Sequence, residues 1–183
     1  MRAAPRVQTY QPPSTPENRA AERRPARGYH LGVVEEGRPA PDFELADDAG
    51  RRVKLSSLKG SPVVLYFYPK DDTPGCTTQA CGIRDAWDAF AERGAIVLGV
   101  SPDDEASHVA FKEKFDLPFA LLSDPDHEVA ETYGVWTELD FGNGTFMGNE
   151  RSTFVIDADG NVAEAMLGVS PDGHADKVLA ALP

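Results

Sequence analysis

"PVVLYFYPKDDTPGCTTQACGIRDAW", residues 62–87, decides the fold. Its first seven residues, 62–68, form an unbroken apolar run with Pro62 at the start, the pattern of a central strand buried on both faces. Pro69 stops that strand, because proline has no N–H to give to a ladder. Pro74–Gly75 shapes the last turn of a connecting loop over 69–75. From Cys76 to Glu92 the period changes to that of a helix, with Ala80, Ile83, Trp87 and Phe90 on one face at spacings of three and four. A buried strand thus feeds an amphipathic helix through a short loop.

The alternation continues in both directions. "FEL" at 43–45 and "RVKL" at 52–55 predict short strands around a turn at Asp48–Gly50, and "SSLKG" predicts one helical turn ended by Gly60. Gly94 ends the long helix, and "AIVLGV" at 95–100 is a second buried strand. "SPDDEASHVAFKEKF" at 101–115 predicts a helix from its Ser-Pro start and early acids. "FALLSD" at 119–124 predicts a strand end, and 126–134 a short helix closed by Gly134. The Gly-rich stretch 138–150 reads as a loop. "RSTFVID" and "NVAEAMLG" flank the turn at 158–160 as a hairpin, and 172–182 is a closing helix. These elements predict an α/β fold with a mixed central sheet flanked by helices on both faces.

The chain has 183 residues, enough for one domain and an extension but not for two full domains. The extension is the N-terminus. Residues 1–30 carry six arginines against Glu17 and Glu22, five prolines and almost no bulky apolar side chains. Such a stretch cannot bury enough surface to offset its ordering entropy, so residues 1–34 are expected to be a disordered Arg/Pro-rich extension and 35–183 the folded domain. It lacks the apolar segment of a secretory signal. A tail on a cytoplasmic protein is the expectation, with organelle targeting as the alternative. The net charge of −12 disfavours nucleic acid and anionic membrane surfaces as partners, and no apolar run is long enough to cross a membrane.

The only two cysteines are Cys76 and Cys81. Cys76 falls at a helix N-terminus, where unpaired backbone N–H groups and the positive dipole end favour a thiolate. Asp71 and Asp72 oppose this slightly, so a cation is needed nearby; Arg84 and Arg151 are the candidates. Thr73 is placed to offer a hydroxyl. Five residues of helix separate the two thiols by roughly 7.5 Å of rise and about 140° of rotation. Their Cα atoms then lie beyond the ~7 Å that a disulfide tolerates. They cannot bond while the helix is intact, and Gly82 eases unwinding. The plainer readings are that Cys81 is a small buried apolar residue, Thr73 a helix cap, and Arg151 a surface partner of Glu150 or Asp157. The histidines, His30, His108, His127 and His174, show no metal-ligand spacing, and C-x-x-x-x-C is not the C-x-x-C of thioredoxin-type redox motifs.

"YFYPKDDTPGCTTQAC" resembles the active-site signature of peroxiredoxins, Pro-x-x-x-Thr-x-x-Cys, here Pro69, Thr73 and Cys76. A cysteine five residues on resembles the Q-type subfamily, the bacterioferritin comigratory proteins. "GRPAPDFEL" at 37–45, "LLSDPDHEVAETYGVW" at 121–136 and "RSTFVIDADG" at 151–160 resemble it too, in order. The resemblance implies a thioredoxin-like fold over about 35–183. It implies Cys76 as the peroxidatic thiolate, which attacks hydrogen peroxide or an organic hydroperoxide and becomes a sulfenic acid. Thr73 then hydrogen-bonds the thiolate and peroxide, Arg151 stabilises the charge, and Pro69 shields the thiolate. Cys81 is the resolving thiol, giving an intramolecular disulfide that thioredoxin or a similar dithiol protein reduces. No cofactor or metal is implied, and a monomer is expected. Two competing readings on the same fold are a protein thiol–disulfide exchanger and a redox sensor.

Overall fold

The computed structural model describes residues 34–140, 142 and 144–183. The expectation for the N-terminal extension, Val34 apart, lies outside the described residues.

Strands β1 (Glu44–Asp47) and β2 (Arg52–Lys54) form a hairpin, and a 3-10 turn follows at Leu55–Leu58. Then come β3 (Val63–Phe67), α1 (Pro74–Asp85), α2 (Trp87–Glu92), β4 (Ile96–Ser101), α3 (Glu105–Phe115), β5 (Ala120–Ser123) and α4 (Glu128–Thr132). The hairpin β6 (Trp136–Asp140) and β7 (Thr145–Asn149) precedes β8 (Ser152–Ile156), β9 (Val162–Met166) and α5 (His174–Ala181). The main sheet has the order β2-β1-β5-β4-β3-β8-β9. Strands β3, β4 and β5 are parallel neighbours, whereas β8 runs antiparallel to β3 and β1 antiparallel to β5. The sheet is therefore mixed, as the segment order predicts.

Strand β3 lies at the centre and is buried along its whole length. Its residues alternate between two cores, as the two-residue strand period demands. Val64, Tyr66 and Tyr68 face a core filled by Cys76, Ala80 and Ile83 of α1, Phe90 of α2, Phe111 of α3 and Val178 of α5. Val63, Leu65 and Phe67 face the other, which holds Phe43, Leu55, Val129 and Ala130 of α4, and Tyr133. Helices thus cover both faces.

Three expectations need correction. The helix read over 76–92 begins at Pro74 and is interrupted at Ala86, whose backbone takes φ −97° and ψ 11°. Pro74 is at the first helical position, where its missing N–H costs nothing. The helix read over 101–115 begins at Glu105; Ser101 ends β4, and the Asp104 side chain caps the helix by accepting from the Ser107 N–H at 2.8 Å. The stretch 138–150 is not a plain loop. It contributes to a separate two-stranded sheet in which Trp136 pairs with Asn149 and Asp140 with Thr145. Phe141 and Asn143 at its turn lie outside the described residues.

Candidate active site

The loop from Pro69 to Thr73 leaves the C-terminal end of β3 and is anchored from below. The Asp71 carboxylate, 6% exposed, accepts from the Tyr68 hydroxyl at 2.6 Å and the Ser107 hydroxyl at 2.8 Å, and pairs with His108 Nδ1 at 2.8 Å. The Asp71 N–H donates to Asp103 Oδ2 at 2.8 Å, tying this loop to the one after β4. Asn149 Nδ2 adds bonds to the carbonyls of Tyr68 and Val100, at 3.3 and 3.4 Å. Burial works against a charged His108, but the hydrogen bond and charge of Asp71 outweigh it and raise its pKa. His108 Nε2 has no well-formed partner, although the Leu122 carbonyl also favours its proton. The two acids that oppose a thiolate are thus both occupied elsewhere, for Asp72 is gripped by Lys114 Nζ at 2.6 Å. Asp72 takes φ 54°, a left-handed conformation that aspartate tolerates and that turns the chain toward the helix.

Thr73 occupies the N-cap position of α1 with extended backbone but makes no capping bond. Its Oγ1 donates instead to the Lys70 carbonyl at 3.1 Å, which commits its hydrogen and leaves its lone pairs able to accept. Two residues into the helix, Gly75 lets a side chain approach: a Cβ there would lie 3.1 Å from Arg151 Nη2. Cys76 follows, 2% exposed, with the first-turn N–H groups around it left without intrahelical acceptors. Burial above all, with Cys76 and Asp71 close by, pushes the Tyr66 hydroxyl well up.

Arg151 reaches this point through the sheet. Ser152 opens β8 directly opposite Phe67, the last residue of β3, so the preceding Arg151 lies at the edge where the Cys76 loop emerges. Its Nη2 donates to Cys76 Sγ at 3.4 Å and its Nη1 to Gln79 Oε1 at 2.5 Å. Arg84, the other candidate cation, is committed to the Phe115 carbonyl at 2.7 Å and to Asp85. The plain reading of Arg151 as a surface partner of Glu150 or Asp157 is replaced by this contact. Pro69 is half-buried just past β3. Cys81 is half-buried on the same continuous helix, and neither thiol is in a disulfide. The sequence brings together Thr73, Gly75, Cys76 and Arg151 here; Cys81 stands apart, as its helical phase requires.

Sequence reasoning overlooked Gln79, Thr153 and His174, which lie behind Arg151 and are fully buried. Gln79, one helical turn after Cys76, carried a usable signal. His174 and Thr153 carried none, being far away in the chain. Asp71 was noticed only as an unfavourable charge.

Residues 37–165 match the AhpC/TSA family. The chain belongs to that family. Peroxiredoxin Bcp of Bacillus subtilis is 49% identical over 151 residues, 82% of this chain and 96% of that protein. Peroxiredoxin Q, chloroplastic, of Oryza sativa subsp. japonica is 51% identical over 131 residues, 72% of this chain and 58% of that one. A solved structure of the Xanthomonas campestris bacterioferritin comigratory protein, described for its alkyl peroxide reduction activity, superposes with a TM-score of 0.74 at 37% identity, covering 81% of this chain and 97% of that one. The peroxiredoxin resemblance, the thioredoxin-like α/β fold and the thiol-dependent peroxidase class expected from the sequence therefore hold. Among the described residues of this peroxiredoxin, no helix is long and apolar enough to cross a membrane.

Proposed function

We propose that this peroxiredoxin reduces hydrogen peroxide and organic hydroperoxides with Cys76 as the attacking thiolate and Cys81 as the resolving thiol. The observation that carries the reading is the Arg151 guanidinium, donating to Cys76 Sγ at 3.4 Å at the open N-terminus of α1. A fixed cation there favours the thiolate and needs no rearrangement to meet the charge that grows on the peroxide.

The Cys76 thiolate attacks the terminal peroxide oxygen, the O–O bond breaks, and the departing oxygen takes a proton to leave as water or an alcohol. Cys76 becomes a sulfenic acid. Arg151 holds sulfur and reacting oxygen together, and Thr73 Oγ1, its own hydrogen committed to the Lys70 carbonyl, accepts the peroxide O–H. Pro69 limits water at the sulfur. The Cys81 thiol then attacks the sulfenic sulfur, a disulfide forms, and water leaves. With both cysteines on one continuous helix, this step requires the first turns of α1 to unwind. Two thiols of a thioredoxin-like dithiol protein reduce the disulfide and become oxidised in turn. The enzyme acts as a monomer in the cytoplasm.

The test is steady-state peroxide reduction by the wild type, Cys76→Ser and Cys81→Ser. Cys76→Ser should be inactive. Cys81→Ser should form a sulfenic acid at the wild-type rate yet recycle poorly without small thiols. Turnover surviving in Cys76→Ser would overturn the assignment.

A further inference from the structure

A buried polar chain lies behind Arg151. Arg151 Nη1 donates to Gln79 Oε1 at 2.5 Å, Gln79 Nε2 lies 3.4 Å from both Nδ1 and Nε2 of His174, and His174 Nε2 meets Thr153 Oγ1 at 2.8 Å. Gln79, Thr153 and His174 are 0%, 0% and 1% exposed. The chain joins α1, the approach to β8, α5 and β8 itself.

Chemistry fixes the direction of this chain. A guanidinium has only donors, so Gln79 must turn its oxygen toward Arg151 and its NH2 toward His174. Equal distances to both ring nitrogens place the NH2 across the imidazole rather than on one nitrogen's lone pair. A neutral ring accepts that contact and an imidazolium repels it. Burial, then the charges of Arg151 and Lys177, pull the His174 pKa down to about 4, so the ring is neutral at ordinary pH. If the amide rotated, its NH2 would face the guanidinium, and Arg151 would lose the contact that steadies it against Cys76.

We infer that His174, held by Thr153, is a positioning residue that sets the balance between the two chemical steps of the Cys76 cycle. By orienting Gln79 it keeps Arg151 on the sulfur, which favours reaction with peroxide. By the same contact it tethers the first turns of α1 to α5 and β8, which opposes the unwinding that Cys81 needs. Loosening the chain therefore has opposite effects on the two steps. A residue that only fills space would not produce that pattern. The inference rests on the roles proposed for Cys76, Cys81 and Arg151.

The experiment compares His174→Phe, which keeps a ring of similar size without its nitrogens, with His174→Gln, whose side-chain oxygen can still accept from Thr153. Thr153→Val provides an independent break in the chain should His174→Phe not fold. Sulfenic acid formation is timed by rapid quench and dimedone trapping, and disulfide formation by mass spectrometry of quenched samples. His174→Phe should form the sulfenic acid about tenfold more slowly, as expected when one charge-assisted contact is misplaced. It should then close the disulfide several-fold faster, as expected for an eased local opening. Thr153→Val should shift both rates in the same directions by less, and His174→Gln should stay near wild type. Two results overturn the inference: both variants matching wild type in both steps, or both steps slowing together in proportion to lost thermal stability. A wild type that forms no sulfenic acid at Cys76 would instead refute the proposed function.

Discussion

The replacement Gly75→Ala sets helix stability against catalysis. Gly75 is in the first turn of α1 with ordinary helical φ, so alanine fits its backbone. Removing glycine's freedom in the unfolded chain stabilises by about 0.4–1 kcal/mol. In a domain of this size that raises Tm by roughly 1–4 °C. The new methyl, however, would lie 3.1 Å from Arg151 Nη2, with Arg151 Cζ and Pro171 Cγ at 3.8 Å. The guanidinium must withdraw by a few tenths of an ångström, and its 2.5 Å bond to Gln79 leaves little slack. Its contact with Cys76 Sγ is already 3.4 Å, so even this retreat weakens it. A hydrogen bond to a charged group is worth about 1.5–3 kcal/mol, and losing roughly half slows the peroxide step about four- to thirteenfold. The assay pairs a thermal melt with stopped-flow tryptophan fluorescence after peroxide mixing. Gly75→Ala should melt at or above the wild-type temperature and react several-fold more slowly. Wild-type speed in a well-folded variant would refute the claim that the Arg151–Cys76 contact governs the rate.

Other outcomes follow from the same geometry. Arg151→Lys keeps the charge, but one ammonium cannot span both Cys76 and Gln79 as the fork does, so kcat/KM should fall roughly ten- to hundredfold; a loss under twofold would count against it. The two buried histidines should give stability opposite pH dependences. His174, lowered to about 4 by burial and then by the cations Arg151 and Lys177, contributes stability above its unfolded value of about 6.5 and loses it as pH falls toward 4, by roughly 3 kcal/mol. His108, raised by Asp71 and Asp103, contributes fully below about 6.5 and loses that contribution as pH climbs through its folded value. Urea midpoints against pH should therefore flatten on the acid side in His174→Gln and on the neutral-to-alkaline side in His108→Gln. Unchanged slopes would contradict the assignment.

The sequence carried the site's frame plainly. The run 62–68 has no polar interruption, so β3 could only be a doubly buried strand, and Pro74–Gly75 left little choice about where the next helix begins. The hairpin β6–β7 was obscured because much of it faces solvent, with Phe146 and Met147 about half exposed, so no one-sided apolar alternation marks it. The interruption at Ala86 has no glycine or proline to mark it, and the apolar spacing of Ile83, Trp87 and Phe90 runs straight across it. Spacing alone left Arg84 and Arg151 both open and only the family resemblance favoured Arg151; the pairing of β8 with β3 is what brings residue 151 to residue 76. His174 lies 95 residues from Gln79, and nothing short of the assembled sheet joins them.

The interruption at Ala86 acts as a firebreak. Refolding that begins at Pro74 has a natural place to halt, because α2 starts afresh with Phe90 seated in the core and its own turn of hydrogen bonds. In the proposed cycle the sheet and the core on its far side are left alone, and the core that Cys76 and Ala80 enter loses only what the first turns of α1 give it. A cycle that repeatedly dismantles part of a helix thereby costs the molecule a few residues of order, never the whole domain.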